Sequence, residues 1–353
     1  MRERLEVGWF KFGDAAEAYR APIQKWLVTA GNTPSIEVVA SGSQNHGDGC
    51  GDGDGHRIIC DMGSGAFDLG QKIMVEMFQK KKRLADTEKE RAEKEGGDVS
   101  SMSDGSPAKA QQPKYGGSIL ITHTHWDHIQ GLPFFVPLHL PQFDWTIYGP
   151  RGIAKSLQET LSGQMQHDYF PIRLGDMGSR TKYRGLCEDI RKGFWLGDDG
   201  APTSIKVTSK YLNHSVLTLG YKLEEFARIP ESDKLLSNGN NSDGKNVSNR
   251  GVSVAYITDH EPFDHSLAKG GFVDSAINAK FPRLSPTTRM LNFSGRRHPF
   301  HDTQYLYSEY SPESGAMSKE FWGHSTVEYV VEVAFYANVK KLLLFHHDPQ
   351  RKR

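Results

Sequence analysis

The sequence predicts an α/β fold, and three observations carry that prediction. Short apolar runs recur at strand length, stretches of helical length separate several of them, and the runs repeatedly end in His or Asp, at Asp61, His123, Asp259 and His346. In α/β architectures ligand sites gather beyond strand ends, where rigid elements hold side chains on short loops. The pattern therefore predicts a site as well as a fold.

The elements follow in chain order. Ala15 to Ala30 has some helical character, and Gly31-Asn-Thr-Pro34 makes a turn into a strand at Ser35–Val39. Residues 41–56 are rich in Gly, Asp and Ser and read as a solvated loop. Arg57–Asp61 reads as a buried strand ending in a carboxylate, and Gly63-Ser-Gly65 turns the chain into a helix from about Phe67 to Lys80. Residues 79–116 form a low-complexity insert, first Lys/Glu/Arg-rich and able to extend that helix, then Gly/Ser/Ala/Gln/Pro-rich.

Further along, strands are expected at Ser118–Thr122, Trp145–Tyr148, Ser204–Ser209, Val216–Leu223, Val252–Thr258 and Lys341–Phe345. A helix is expected over Gly152 to about Gln164. A second polar insert spans 232–250, and residues 277–301 read as irregular and basic. Ser325-Thr-Val-Glu328 has capping-box spacing, so a helix is predicted from Thr326 to about Ala337. The chain thus divides into a segment 1–30 and a domain over 31–349 with polar inserts at 41–56, 79–116 and 232–250.

Lys plus Arg and Asp plus Glu are 43 each, a balance that argues against a broad nucleic-acid-binding surface. Three cysteines, Cys50, Cys60 and Cys187, cannot make a disulfide framework and read as reduced thiols. No signal-peptide profile opens the chain and no apolar run reaches membrane-spanning length, so a soluble cytoplasmic protein without a membrane partner is expected.

The chemistry concentrates in His123-Thr-His125-Trp-Asp127-His128, four candidate ligands within six positions. Just after a strand, His123 and His125 point to the same side, and the ensuing turn brings round Asp127 and His128. Imidazole nitrogen and carboxylate oxygen suit zinc, and also manganese or iron. Two ligand pairs on one loop can serve two cations, which can share a bridging hydroxide and clamp both ends of a displacement. Four such groups packed without a cation would be costly to bury.

The segment resembles the hallmark His-x-His-x-Asp-His of the metallo-β-lactamase superfamily, and the resemblance covers most of the chain in order. It implies a four-layer αββα sandwich. Asp61 matches an early strand-end aspartate that supports ligands without being one, Asn213-His214-Ser215 the third-motif histidine, Thr258-Asp259 the metal-bridging aspartate, and Leu344-Phe-His346 the terminal ligand. The implied set is His123, His125 and His214 for one ion, and Asp127, His128 and His346 for a second, with Asp259 between them. From the residues alone, His214 is a lone histidine between two strands, and His347 competes with His346. His260, Glu261 and His347 are expected beside the site; His46, His56, His139 and His265 are read as ordinary loop or packing residues.

Gly323-His324-Ser-Thr326 is similar to the pattern of the tRNase Z and cyclic-phosphate phosphodiesterase branch, where the histidine faces the metals and protonates the leaving oxygen. His324 and Asp127 are accordingly the candidate catalytic residues. His125 stands where flavodiiron oxidoreductases carry glutamate, which disfavours redox chemistry. Gly31-Asn-Thr-Pro34, His125-Trp-Asp-His-Ile-Gln-Gly-Leu-Pro133, Thr258-Asp-His-Glu-Pro262 and His346-His-Asp-Pro349 resemble one bacterial-type group of the superfamily. Residues 1–30 lack the group's opening strand and glycine-rich turn, and the chain ends in Gln-Arg-Lys-Arg where the group continues.

The expected function is dinuclear hydrolysis of a small phosphodiester or nucleotide by metal-bridged hydroxide attack, with two divalent ions, zinc by preference over manganese or iron. RNA is a less favoured substrate, because no Gly/Pro-rich tRNA-gripping arm is evident. Acyl hydrolysis of a lactone, thioester or β-lactam on the same centre is the enzymatic alternative, and a degenerate scaffold the non-enzymatic one. The branch also implies a homodimer, by analogy only.

Overall fold

The computed structural model describes residues 10–11, 33–40, 56–94, 115–152, 154–187, 189–198, 201–226, 250–261, 296–310, 317–336, 339 and 341–348. The expected helix at 15–30, most of the loop at 41–56, the later part of the 79–116 insert, nearly all of the 232–250 insert, His46 and His265 lie outside these residues.

Twelve strands are described: β1 (Phe10–Lys11), β2 (Ile36–Val39), β3 (Arg57–Cys60), β4 (Tyr115–Leu120), β5 (Phe143–Pro150), β6 (Arg180–Leu186), β7 (Asp189–Asp198), β8 (Ala201–Leu212), β9 (Thr218–Phe226), β10 (Arg250–Ile257), β11 (Arg296–Asp302) and β12 (Lys341–Phe345). They form a five-stranded sheet, β2-β3-β4-β5-β6, and a seven-stranded sheet, β1-β12-β11-β10-β9-β8-β7. β3 to β6 run parallel in one sheet, and β10, β11 and β12 run parallel in the other.

Both faces of each sheet are covered, which explains the continuous apolar runs. In the small sheet Ile59, Ile119, Ile121, Trp145 and Ile147 face outward onto helix α1 (Gly65–Lys94) and the helix over Leu157–Gly163. Their neighbours Ile58, Cys60, Leu120 and Tyr148 face the opposite way and meet Val207, Leu219, Tyr221 and Tyr256 of the large sheet. On that sheet's far side Ala255, Ile257, Leu342 and Leu344 pack under the helix Val327–Tyr336. Helix, sheet, sheet, helix is the expected αββα sandwich.

Helix α1 divides by side-chain chemistry. Ala66, Ile73 and Met77 recur at helical spacing and are buried, whereas the helix continues to Lys94 through a charged stretch in which Lys81, Lys82, Arg83, Asp86, Lys89 and Glu90 are exposed. The charged part of the insert therefore does extend the helix. Further helices, all short, are α2 (Trp126–Ile129), α3 (Leu157–Gly163), α4 (Tyr307–Tyr310) and α5 (Val327–Tyr336).

Three local expectations need correction. Residues 296–301, part of the segment 277–301 read as irregular, form β11 together with Asp302 in the interior of the large sheet. α3 begins at Leu157 rather than Gly152, because Ser156 and Glu159 make a reciprocal capping box there. At the last helix Thr326 caps, its Oγ1 accepting from Tyr329 N at 3.3 Å, whereas Ser325 is buried and its hydroxyl donates to the His260 carbonyl. Both corrected starts follow the residue whose oxygen faces the third amide of the helix.

His56, expected to be an ordinary loop residue, packs at the start of β3 with Nε2 3.0 Å from Ser118 Oγ. Burial lowers its pKa to about 4. The unfolded chain protonates this ring near its usual value and the folded chain resists, so stability falls as pH drops from about 6.5 to 4. His56→Gln, which retains a polar partner for Ser118, is expected to make that acid decline shallower; urea unfolding at pH 7 and pH 4.5 checks it, and an unchanged slope with pH counts against it.

Candidate metal centre

The site lies along the C-terminal ends of β3, β4, β10, β11 and β12. Three of its strand-end residues, Asp61 (φ 57°), Asp259 (φ 33°) and His346 (φ 62°), adopt left-handed backbone although none is glycine. Such conformations cost on the order of 1–3 kcal/mol each and tend to cluster at functional sites. Here they turn a side chain out of the strand direction at the point where the sheets end.

His123, His125, His214 and Asp259 offer ligand atoms within 4.8 Å of one another, and Asp127, His128, Asp259 and His346 form a second such group. These are the two sets expected, with Asp259 in both. Its Oδ2 lies 3.4 Å from His123 Nε2 and 3.6 Å from His214 Nε2. Its Oδ1 lies 3.2 Å from His128 Nε2 and 3.4 Å from His346 Nε2. Each carboxylate oxygen thus faces one group. Asp127 Oδ2 is 3.1 Å from His346 Nε2 and 3.3 Å from His128 Nε2.

The donor set fits divalent cations. His123 Nε2 and His128 Nε2 are buried and make no hydrogen bond, although carboxylate oxygens lie near both. Buried nitrogens left in that way are costly unless a cation uses them. Imidazoles and carboxylates are the ligands of zinc, manganese and iron sites.

The environment sorts the ligands electrostatically. Burial opposes charge on His128 and His346, yet Asp259 and its fellow carboxylates outweigh it, raising His128 well above the ordinary value and His346 to about 9. His214 goes the other way: burial, aided by neighbouring imidazoles, lowers it to about 4 despite Asp259. Burial likewise lowers His125. Asp259 is held well below the carboxylate range; burial works against this, but His346 and His128 prevail. Since a histidine must be neutral to ligate a metal, uptake of a cation by His128 and His346 would release protons.

Asp61 stays out of both groups and supports them. It is fully buried and accepts from Thr122 N at 2.7 Å, His128 Nδ1 at 2.8 Å and the Tyr256 hydroxyl at 2.9 Å. Its bond to Nδ1 leaves His128 Nε2 facing Asp127 and Asp259. Asp61→Asn is expected to weaken metal binding about 10–100-fold, the usual cost of losing a histidine-orienting carboxylate. Competition with a zinc-buffering chelator measures this, and wild-type affinity would exclude the orienting role.

His324 stands against the ligand histidines, its ring centroid 5.1 Å from that of His346 and 5.5 Å from that of His214. Its Nδ1 lies 3.2 Å from Asp302 Oδ2, and Ser325 N donates to the same oxygen at 3.1 Å. Burial disfavours a charged His324, but Asp302 outweighs it and raises the pKa above the ordinary value. Asp302 is the principal residue that sequence reasoning missed. It is fully buried at the end of β11, and the strand-end rule that found Asp61 would have found it had β11 been recognised.

Two supporting expectations resolve differently. His260 is buried, its Nδ1 accepting from Asn213 N at 3.2 Å, which ties the Asp259 loop to the His214 loop. His347 turns toward the Thr303 carbonyl, 3.2 Å from its Nδ1, and joins neither ligand group; His346 is the one directed into the site. His139 packs as expected, its Nε2 2.9 Å from the Pro133 carbonyl.

No family model matches the chain. A protein named Ribonuclease Z from Lactococcus lactis subsp. lactis is 28% identical over 243 residues, covering 67% of this chain and 72% of that protein. Proteins of the same name from Lactococcus lactis subsp. cremoris (29% over 245 residues, 67% and 72% covered) and Listeria innocua (28% over 233 residues, 65% and 69% covered) are similar. Among solved structures, a long-form RNase Z from yeast aligns over 91% of this chain and 36% of that one, at 12% identity and a TM-score of 0.44. In sequence the chain is thus similar to proteins named Ribonuclease Z, in keeping with the motif order that resembles the metallo-β-lactamase superfamily.

Proposed function

We propose that the protein is a dinuclear metal-dependent phosphodiesterase acting on nucleotide, cyclic nucleotide or RNA diesters. The observation that carries this reading is His324, held by the buried Asp302 against the two ligand groups and biased toward its protonated form. A proton donor facing the cations suits a reaction whose leaving group departs as an alkoxide. Hydrolysis of a thioester, whose thiolate departs unaided, has less need of one.

His123, His125 and His214 would hold one divalent ion, zinc by preference, and Asp127, His128 and His346 the other, with Asp259 shared. Bound there, the ions supply Lewis acidity toward phosphoryl oxygens and lower the pKa of water. The chain's own residues do the rest. Asp61 fixes the His128 ring through Nδ1, and the Gly323 carbonyl fixes His214 through its Nδ1 at 3.0 Å. Asp302 accepts from His324 Nδ1, which leaves Nε2 as the nitrogen that gives a proton to the departing oxygen.

Exposed aromatic side chains favour a nucleotide over a simple ester. Trp126, between ligands His125 and Asp127, is 60% exposed, and Phe321 and Trp322, just before Gly323-His324, are 73% and 49% exposed. Aromatic faces near a phosphodiester site offer stacking for bases, worth roughly 1–3 kcal/mol per base. The name shared by the relatives places RNA among the substrates to test. Among the described residues, no helix is long and apolar enough to cross a membrane.

The test is metal analysis coupled to side-by-side assays on bis-p-nitrophenyl phosphate, a cyclic nucleotide, a tRNA precursor and a thioester. About two metal ions per chain with diester hydrolysis is expected. Thioester turnover without diester turnover would replace the reading by acyl hydrolysis, and absence of bound metal would reduce the chain to a scaffold.

A further inference from the structure

Glu261 follows Asp259 by two positions and is buried, but it belongs to neither ligand group. Its backbone joins the loop that carries His214: Glu261 N donates to the Asn213 carbonyl at 2.9 Å, and Asn213 Nδ2 donates to the Glu261 carbonyl at 3.2 Å. Its carboxylate reaches the other way. Oε1 accepts from Phe321 N at 2.6 Å and from the Tyr310 hydroxyl, and Oε2 accepts from Gly323 N at 2.9 Å. Among the described residues these backbone and hydroxyl donors, and no cation, account for the contacts of this acid.

Both amides it holds belong to residues in left-handed backbone, Phe321 at φ 68° and Gly323 at φ 85°. For glycine this is easy. For Phe321 it is not, and a ring that is 73% exposed gains little burial to offset the strain. The turn exists because something fixes it, and the carboxylate does so at two points. What the turn delivers lies on either side of Gly323. Its carbonyl meets His214 Nδ1 at 3.0 Å, with so little room that a Cβ on Gly323 would come within 2.1 Å of that nitrogen. The next residue is His324.

We infer that Glu261 is a positioning residue for proton transfer to the leaving group: by clamping residues 321–323 it sets where His324 stands relative to His214 and the cations. This rests on the reading of His324 as proton donor. A glutamine at 261 keeps the volume but turns an NH₂ group toward one of the two amides, so one clamp point becomes a clash of donors.

The experiment compares metal-loaded Glu261→Gln, His324→Ala and the unaltered chain on two diesters. p-Nitrophenolate departs from bis-p-nitrophenyl phosphate without a proton, whereas thymidylyl-(3′→5′)-thymidine must expel an alkoxide. Glu261→Gln is expected to keep its zinc content and to lose about 100-fold in kcat on the dinucleotide but less than about 5-fold on the nitrophenyl ester, the pattern of lost acid catalysis. A merely destabilised fold would lower both alike, and that outcome overturns the inference, as does a full effect in His324→Ala with none in Glu261→Gln. Hydrogen exchange at the Phe321 and Gly323 amides reads the clamp without any substrate. Unchanged protection in Glu261→Gln refutes the clamp even if no diester is cleaved, whereas lost protection with an unaltered chain inert on both diesters refutes the proton-donor reading alone.

Discussion

Asp259→Asn is expected to abolish the paired metal centre, with bound zinc falling from about two ions per chain to one or fewer and diester turnover falling by about 10⁴-fold. The reason lies in how the side chain divides its oxygens. Oδ2 faces His123 and His214, and Oδ1 faces His128 and His346. Asparagine keeps one oxygen and replaces the other with a donor nitrogen, so whichever way it turns, one group loses its anion and gains hydrogens pointing at the cation. Rotation cannot rescue both. Thr258 Oγ1, which donates to Oδ1 at 2.8 Å, favours leaving the oxygen at that position and so directs the damage toward the His123–His125–His214 group. Elemental analysis after dialysis, with turnover of bis-p-nitrophenyl phosphate, checks the prediction. Two ions retained by the variant would show that the carboxylate does not join the groups.

His324→Ala is expected to leave both ions in place and still cost about 10²–10⁴-fold in turnover on diesters with alkoxide leaving groups. His324 belongs to neither of the two ligand groups that share Asp259, and its own hydrogen-bond partner, Asp302, is anchored independently by the backbone amides of His260 and Ser325 at 3.3 Å and 3.1 Å. The change therefore removes a proton donor while the bed it lies in persists. An alkoxide leaving without a proton is poor, whereas p-nitrophenolate leaves readily, so the deficit should nearly vanish on the nitrophenyl substrate. Equal losses on both substrates, or unaltered turnover on the dinucleotide, would remove the histidine from the proton-transfer step.

The sequence was legible wherever a strand was both apolar and short. β3, β4, β5, β10 and β12 each announced themselves by buried runs such as Arg57-Ile-Ile-Cys60 and Lys341-Leu-Leu-Leu-Phe345, and the His or Asp that follows each of four of them sits in the site. β6 was missed because Arg180-Thr-Lys-Tyr-Arg-Gly-Leu186 is an edge strand, and charged side chains are what keep an edge from pairing with strangers. β11 was missed for a different reason. Arg296-Arg-His-Pro-Phe-His-Asp302 has no apolar run and contains a proline, a residue that argues against an interior strand. The exception is tolerable because Pro299 pairs only with Ala255, and two-sided pairing begins at Phe300. With β11 unseen, Asp302 was unseen too. Glu261 was visible beside Asp259, but nothing local could show that its carboxylate reaches residues 60 and more positions away.

The origin of the ligands has a mechanical consequence. His123, His125, Asp127 and His128 follow β4 of the five-stranded sheet, whereas His214, Asp259 and His346 follow β8, β10 and β12 of the seven-stranded one. An ion in either group would be gripped from both sheets at once and would act as a rivet across the seam of the sandwich. Metal loading should then be felt far from the chemistry, as slower opening of the interface between the sheets around Leu120, Tyr148 and Tyr221, while the helices on the outer faces fray as before.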